Sequence, residues 1–561
     1  NLKRMGLPKV VGDGRQHYLN LPVAKGLLWL PGASLPDWGP RVGTDLPKSF
    51  PGHRERFSRV QGLELAHLFA LKGLNASKGA VVAFEWMGSE GPFTYLQDGL
   101  VASVESLHAF KSGLEPEKEA MHPALISEQP MGWNLKRPLS APVMLTKLGL
   151  EVDEVEEGYA KVTAEETLVP LEAGMRAFQL DLYNVRWGNA GNGSDKAFPY
   201  TLKRVRDEQG HELAFHHRRG KVLVILPQAM VMNQPQRIRF EMEGPILFAP
   251  QNDQYWYLGV EPWFPQPALS GLYFQLEATL RGRPGYVPIA SGTTVERKEV
   301  GGRVELKVSL QQPISFFYCA ARKFKLTDVK RGEQLVRVAT YTGESIKPEG
   351  YAQLAFAVMD HYRPYLGPFP FPEFNIMVVN GQMGWSHGQA PAGFMLLTLG
   401  AFKDPDRIQL ASISRGINGL AAHEIAHQYW GNVVKWPSPE ETWLSEGFAE
   451  YVSGLYLRAA KGESEFRGMV RDWEVRARES GGEAPVAHAD RLLLPGNYDG
   501  FMARTNLLYA KAPYLLSALH KKVGDTTFLT FLKSYQANFR WKFGTTEHVS
   551  GLLGFLSKQD L

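Results

Sequence analysis

The sequence predicts a multidomain chain in which β-rich N-terminal regions precede a mainly α C-terminal domain. Two observations carry that reading. At 561 residues the chain exceeds one ordinary domain and has room for about three to five. Its hydrophobic pattern also changes along the way, from short apolar runs between turn residues to a helical period after about residue 345. A composition of 44% hydrophobic, 21% charged and 11% aromatic residues excludes a disordered, collagenous or coiled-coil chain.

Residues 1–135 are rich in Pro, Gly and short apolar runs such as Gly79-Ala80-Val81-Val82-Ala83-Phe84, which predict strands and loops to which no chemistry attaches. Residues 136–335 read as an antiparallel β domain, with strand-like runs at Arg176–Leu182, Lys221–Leu226 and Arg237–Met242 separated by turn residues. Residues 336–561 read as the mainly α domain. Helices are expected at Tyr351–Tyr362, Ile417–Trp430, Glu440–Ala460, Thr505–Val523 and Thr546–Ser557.

Charge narrows the function classes. Sixty-two Lys and Arg against 58 Asp and Glu leave a net charge of +4 with no basic cluster, so neither nucleic acid nor a membrane surface is an expected partner. The single cysteine, Cys319, excludes an internal disulfide and a thiolate-rich metal site, and its apolar run Phe316-Phe317-Tyr318-Cys319-Ala320 places it in a core. Any metal must then be held by His, Asp or Glu. No apolar stretch approaches the roughly 18 residues of a membrane span, so a soluble chain is expected. It opens with Asn1 rather than Met, which suggests a removed leader or a trimmed chain; a removed leader leans the location towards periplasmic or secreted. Oligomeric state leaves no mark on the sequence.

His423-Glu424-Ile425-Ala426-His427 lies inside a predicted helix. Four residues advance a helix by about 400° and about 6 Å, so the two imidazoles share a face and can grip one ion. Glu424, rotated by about 100° from His423, can reach a water on that ion without ligating it. Ser438-Pro439-Glu440-Glu441 reads as a capping box opening the next helix. Glu446 follows His427 with 18 residues between, and Glu450 comes four later on the same face. Glu446 is the candidate third ligand of a one-ion zinc site with two His and one Glu, and Glu450 a candidate acceptor for an imidazole N–H. By themselves, two carboxylates on one helical face also describe a solvated face.

Two other clusters invite a different reading. His211-Glu212 and His216-His217 follow the turn Gln209-Gly210 and lack helical spacing, so a polar hairpin is expected. Gly188 to Gly193 has no helix after it, which makes a surface turn the expectation rather than a phosphate loop.

The stretch His423-Glu424-Ile425-Ala426-His427-Gln428-Tyr429-Trp430-Gly431-Asn432, with Trp443-Leu444-Ser445-Glu446-Gly447-Phe448-Ala449-Glu450-Tyr451, resembles the paired zinc helices of the aminopeptidase N and leukotriene-A-hydrolase family of gluzincins. Tyr365-Leu366-Gly367-Pro368-Phe369-Pro370-Phe371-Pro372 and Trp263-Phe264-Pro265 are similar to further family segments, so the resemblance covers roughly residues 140–561. It implies a β saddle-like domain before a thermolysin-like zinc catalytic domain. Tyr509-Ala510-Lys511-Ala512 resembles the family's Tyr-x-Lys-Gly helix, whose tyrosine hydroxyl contacts the developing oxyanion. On its own, a tyrosine on a helix is equally a core residue.

The departures bear on specificity. Where the family has Gly-x-Met-Glu-Asn, whose Glu binds the substrate's free amino group, this chain has Gly388-Gln389-Ala390-Pro391-Ala392 and no carboxylate. Gly388, Gln389 and Ala390 are the substrate-binding candidates, and Gln254 is the candidate for the family's other amine anchor. The sequence ends about 50 residues after Tyr509, where larger members continue into a helical domain, which implies a more open cleft. The expected function is a zinc peptidase acting on peptides, foremost an aminopeptidase with atypical amine recognition. An endopeptidase needing no free N-terminus and a non-catalytic binding protein on the same fold are the alternatives.

Overall fold

The structure is a computed structural model. It describes the strands between Val10 and Leu125, residues 71, 74 and 75, and residues 142–559 apart from 183–184, 187–195, 198–199, 219, 248–255, 260–261, 268–270, 341–346, 380–387, 399–414, 438–440, 480–484, 488 and 490–497. The expectations for Gly188–Gly193, Gln254 and the Ser438–Glu440 part of the capping box lie outside the described residues.

In the N-terminal region, Lys25–Trp29, Val81–Gly88, Gly91–Asp98, Glu105–Phe110 and Met121–Leu125 pair in sequence order as a five-stranded antiparallel meander. A seven-stranded sheet follows. Its order is Thr201–Asp207, Gln236–Gly244, Tyr159–Pro170, Val143–Glu156, Leu272–Arg281, Arg303–Ile314 and Thr293–Val300. Every pairing is antiparallel except that of Val143–Glu156 with Leu272–Arg281. Alternation drives it: along Tyr159–Pro170 every second residue, Ala160, Val162, Ala164, Glu166 and Leu168 among them, is buried. The apolar ones among them share a core with Phe178, Leu180, Val222 and Val224 of a second, three-stranded sheet. Trp263 and Phe264 join it edge to face, and Cys319 is buried as expected.

A mixed five-stranded sheet underlies the helical region, in the order Lys325–Arg331, Gln334–Thr340, Glu373–Val379, Phe394–Thr398, Gly388–Gln389. It begins at Lys325, so the expected division near residue 335 falls inside it. Its central strand Glu373–Val379 is buried at every position because both faces are covered. Phe374, Ile376 and Val378 face the helices, while Met377 and Val379 meet Ile289, Tyr318 and Ala320 of the β region. Glu373 reinforces that junction by accepting from the Thr294 amide at 3.0 Å and its hydroxyl at 2.8 Å, beside Arg337.

The helices run Pro348–Leu366, Ile417–Ala426, Trp443–Lys461, Glu463–Glu479, Tyr498–Asn506, Ala512–Val523, Asp525–Asn538 and Thr546–Ser557. Two of these, Glu463–Glu479 and Asp525–Asn538, were not among the expected helices. The span expected as Thr505–Val523 is interrupted by a π-helical turn at Leu507–Lys511. Among the described residues no helix is long and apolar enough to cross a membrane.

Candidate active site

The Ile417–Ala426 helix is buried at every residue from Gly419 to Ala426, which puts His423 and Glu424 in an interior where a polar group needs a partner or a ligand. The expected continuation to Trp430 is a turn instead. Gly431 has φ of +122°, and a β-carbon there would lie 2.8 Å from Ser445 Oγ, so only glycine lets the chain turn back so close to the next helix. Across that turn the Trp430 ring stacks on Phe448, centroids 4.1 Å apart, which fixes the Trp443–Lys461 helix beside the first.

This packing brings three donor atoms together. His423 Nε2 and His427 Nε2 are 3.1 Å apart, and Glu446 Oε2 lies 3.6 Å from the first and 3.2 Å from the second. Among the described residues these three form the group of His, Cys, Asp and Glu side chains whose ligand atoms converge. Both imidazoles are oriented from behind. His423 Nδ1 lies 3.0 Å from Glu450 Oε2, and Trp473 Nε1 donates to the other carboxylate oxygen at 3.1 Å. His427 Nδ1 lies 3.1 Å from the Trp430 carbonyl and 3.0 Å from Ser445 Oγ, which itself donates to that carbonyl at 2.9 Å. With a proton on each Nδ1, the Nε2 lone pairs and the Glu446 carboxylate all point into one space.

Three converging acceptors demand a positive charge. Burial works against a charged His423, yet Glu446 and Glu450 outweigh it and hold its pKa up at about 10. Burial would raise Glu446, but the two imidazoles hold it far below the usual carboxylate range. Two neutral imidazoles and one carboxylate form the donor set that suits zinc. The residues present therefore fit a zinc ion.

Glu424 lies beside this centre without belonging to it. Its carboxylate rests on the backbone of Gly388, where a β-carbon would sit 2.2 Å from Glu424 Oε1. Burial pushes its pKa up, partly offset by His423 and His427. Gly388-Gln389 is the short edge strand paired with Leu396 and Leu397, and Gln389 Oε1 is buried without a hydrogen-bond partner. Two residues that sequence reasoning assigned no role tie this strand to the His-Glu helix. Asn432 donates to Ala390 O at 2.8 Å, and Gln428 donates to the carbonyls of Pro391 and Phe394, each at 3.1 Å. Both lie in the stretch quoted for the resemblance, which was the signal available.

Tyr509 sits in the π-helical turn, its ring centroid 6.1 Å from that of His423. Burial, reinforced by the Glu446 charge, keeps its hydroxyl protonated far above the ordinary tyrosine range. The second histidine cluster is remote from all this. His211 is exposed beside Asp207 at 3.1 Å and His217 faces the Leu182 carbonyl at 3.1 Å, as a polar hairpin requires.

A mixed sheet with helices packed on one face thus supports two histidines at the end of one helix and a glutamate from the next, their donor atoms converging on one point. Residues 362–561 match the Peptidase family M1 domain. The chain is 24% identical over 298 residues to "Probable aminopeptidase 1" of Saccharolobus solfataricus, covering 51% of this chain and 36% of that protein. It is 26% identical over 181 residues to "Aminopeptidase M1-B" of Oryza sativa, covering 31% and 20%. The chain thus spans about a fifth to a third of the length of these curated relatives. Its fold is similar to an M1 zinc metallopeptidase from Deinococcus radiodurans solved with a Tyr-Ser-Ala substrate, with TM-score 0.57 and 18% identity over 74% of this chain and 91% of that one. A similar likeness, TM-score 0.60 at 15% identity over 75% and 49%, links it to Legionella pneumophila aminopeptidase A. The family match thus lies in residues 362–561, and over part of its length the chain is similar to aminopeptidases.

Proposed function

We propose that the chain is a zinc-dependent peptidase, most simply an aminopeptidase, with His423, His427 and Glu446 as the metal ligands. The observation that carries this reading is the convergence of those three donors with a buried carboxylate, Glu424, alongside but outside the set. Zinc, when bound, supplies a Lewis acid that polarises a carbonyl and makes water acidic near neutral pH. Glu424 takes the proton of the attacking water as the oxygen–carbon bond forms, then delivers it to the amide nitrogen as the carbon–nitrogen bond breaks. Its raised pKa makes the carboxylate a stronger base for the first transfer, and its protonated form a correspondingly weaker acid for the second. The Tyr509 hydroxyl donates to the carbonyl oxygen as negative charge develops there. Glu450 and Ser445 keep both ligand imidazoles in the tautomer that leaves Nε2 free.

Amine recognition is the atypical part of this reading. The strand Gly388-Gln389-Ala390 carries no carboxylate, and the group that it offers is the unpartnered Gln389 Oε1. A neutral oxygen accepts from an ammonium less strongly than a carboxylate does, so a blocked amino terminus is tolerated better than a charged anchor would allow. That observation, with the missing N–H of Pro391, also favours the second reading, an endopeptidase that needs no free N-terminus.

The deciding experiment uses zinc-loaded protein and matched peptides with free and acetylated amino termini, followed by mass spectrometry. Release of single residues from the free peptides supports the aminopeptidase. Internal cleavage of both forms supports the endopeptidase, and no cleavage of either leaves the non-catalytic binding protein.

A further inference from the structure

Gly447 follows Glu446 in the Trp443–Lys461 helix, and no side chain of its own stands between that helix and the turn carrying Tyr509. A β-carbon on Gly447 would lie 2.6 Å from the Ala512 β-carbon and 3.7 Å from the Leu508 carbonyl oxygen. Contacting carbons settle about 3.5–4.0 Å apart, so one methyl group at 447 requires the two segments to part by roughly 1 Å. Leu508 lies within the π-helical turn Leu507–Lys511 and Ala512 directly follows it, with Tyr509 at the middle of the turn. Leu507, Leu508, Ala510 and Ala512 are all buried in the helical core, which leaves the turn little room to yield elsewhere. Single π turns inside longer helices recur at functional sites, because the extra residue re-aims the side chains around it.

We infer that Gly447, which has no side chain, and the single methyl of Ala512 form a close seat that presses the π turn against the metal-ligand helix and sets the Tyr509 hydroxyl at the reaction centre. Both are positioning residues, acting through Tyr509. The inference rests on the peptidase reading above and adds to it the device that fixes the tyrosine's place. Glycine at 447 is required there for closeness, since the helix itself would accept alanine more readily than glycine.

The test is a double-substitution cycle in the full zinc-loaded chain. Gly447→Ala is expected to lower kcat by at least about tenfold with KM changed less than about threefold, because the hydroxyl acts mainly in the transition state. Adding Ala512→Gly is expected to restore most of that loss, since it removes the β-carbon that the new methyl strikes. In a Tyr509→Phe background, Gly447→Ala should cost less than about threefold more. A crystal structure of Gly447→Ala, which needs no activity, should show residues 507–512 displaced by roughly 1 Å with zinc still bound. If Gly447→Ala does not fold, Ala512→Val crowds the same contact from the other side and is read in the same way. Failure of Ala512→Gly to restore rate, an equal loss in the Tyr509→Phe background, or an unmoved Tyr509 overturns the inference. A parent chain that cleaves no peptide overturns the peptidase reading instead, and the crystal structures then decide the seat alone.

Discussion

Trp473 donates its indole N–H to Glu450 Oε1 across 3.1 Å, and through that carboxylate it holds His423, whose Nδ1 lies 3.0 Å from the other oxygen. Trp473 and Glu450 are both fully buried. This hydrogen-bonded relay runs from the Glu463–Glu479 helix, through the Trp443–Lys461 helix, to His423. Partners of this kind, one step behind a metal ligand, typically carry about 10- to 100-fold in metal affinity. Glu450→Ala should weaken zinc binding by that order in a chelator competition, and Trp473→Phe by less, since it leaves the carboxylate in place. An affinity unchanged in Glu450→Ala would remove it from the support of His423.

The proposed ligands and the proposed base should separate cleanly by what each variant loses. His427→Ala should lose stoichiometric zinc by metal analysis. Glu424→Gln should retain zinc and lose turnover by about 100-fold or more, the usual scale for general acid–base catalysis. Wild-type rate in the glutamine variant would assign the proton transfers elsewhere.

For Tyr509, the hydroxyl rather than the ring is at issue. Tyr509→Phe should lower kcat by about 100- to 1,000-fold, the range for one oxyanion donor, with KM nearly constant in steady-state kinetics. A raised KM with unchanged kcat would make Tyr509 a binding residue instead.

Gln389 can be tested against the carboxylate it replaces. Acetylating the substrate amine should cost less than about 2 kcal/mol in kcat/KM for the parent chain, the order of one charge-assisted bond. Gln389→Glu should widen that difference by placing a charged acceptor on the same strand. Loss of all cleavage on acetylation of the parent's substrate would require an anchoring carboxylate elsewhere.

Glu166 gives a pH signature far from the metal. It is wholly buried between Leu148 and Ile238 on the neighbouring strands, and neither carboxyl oxygen has a hydrogen-bond partner. Burial pushes its pKa well above the usual carboxylate range. A group whose folded pKa is raised contributes stability that is fully present below its unfolded pKa, about 4.3, and is lost as pH rises towards the folded value. Glu166→Gln, neutral at every pH, should therefore match the parent near pH 4 and gain on it as pH rises. A gain of about 1–3 kcal/mol is expected, the cost of one unsatisfied buried group. Melting curves of the two proteins that stay parallel across this range would mean that Glu166 finds a partner.

Much of the site could be read directly along the chain because its determinants are local. The spacing of His423 and His427 puts them on one helical face whatever surrounds them, and Glu446 and Glu450 share a face of the next helix for the same reason. Strand alternation likewise announced the β region. The Glu463–Glu479 helix was legible in principle, with Phe466, Met469, Trp473 and Ala477 buried at helical spacing among charged residues. Tertiary structure decided the rest. Only packing shows that Trp473 reaches Glu450, that Gln428 and Asn432 fasten the Gly388-Gln389 strand, and that the strands from Lys325 onward belong with Glu373–Val379. The π turn at Leu507–Lys511 was equally invisible, since a single inserted residue leaves the helical pattern on either side intact. Each of these depends on contacts between segments tens of residues apart, where hydrophobic period and local propensity carry no information about the partner.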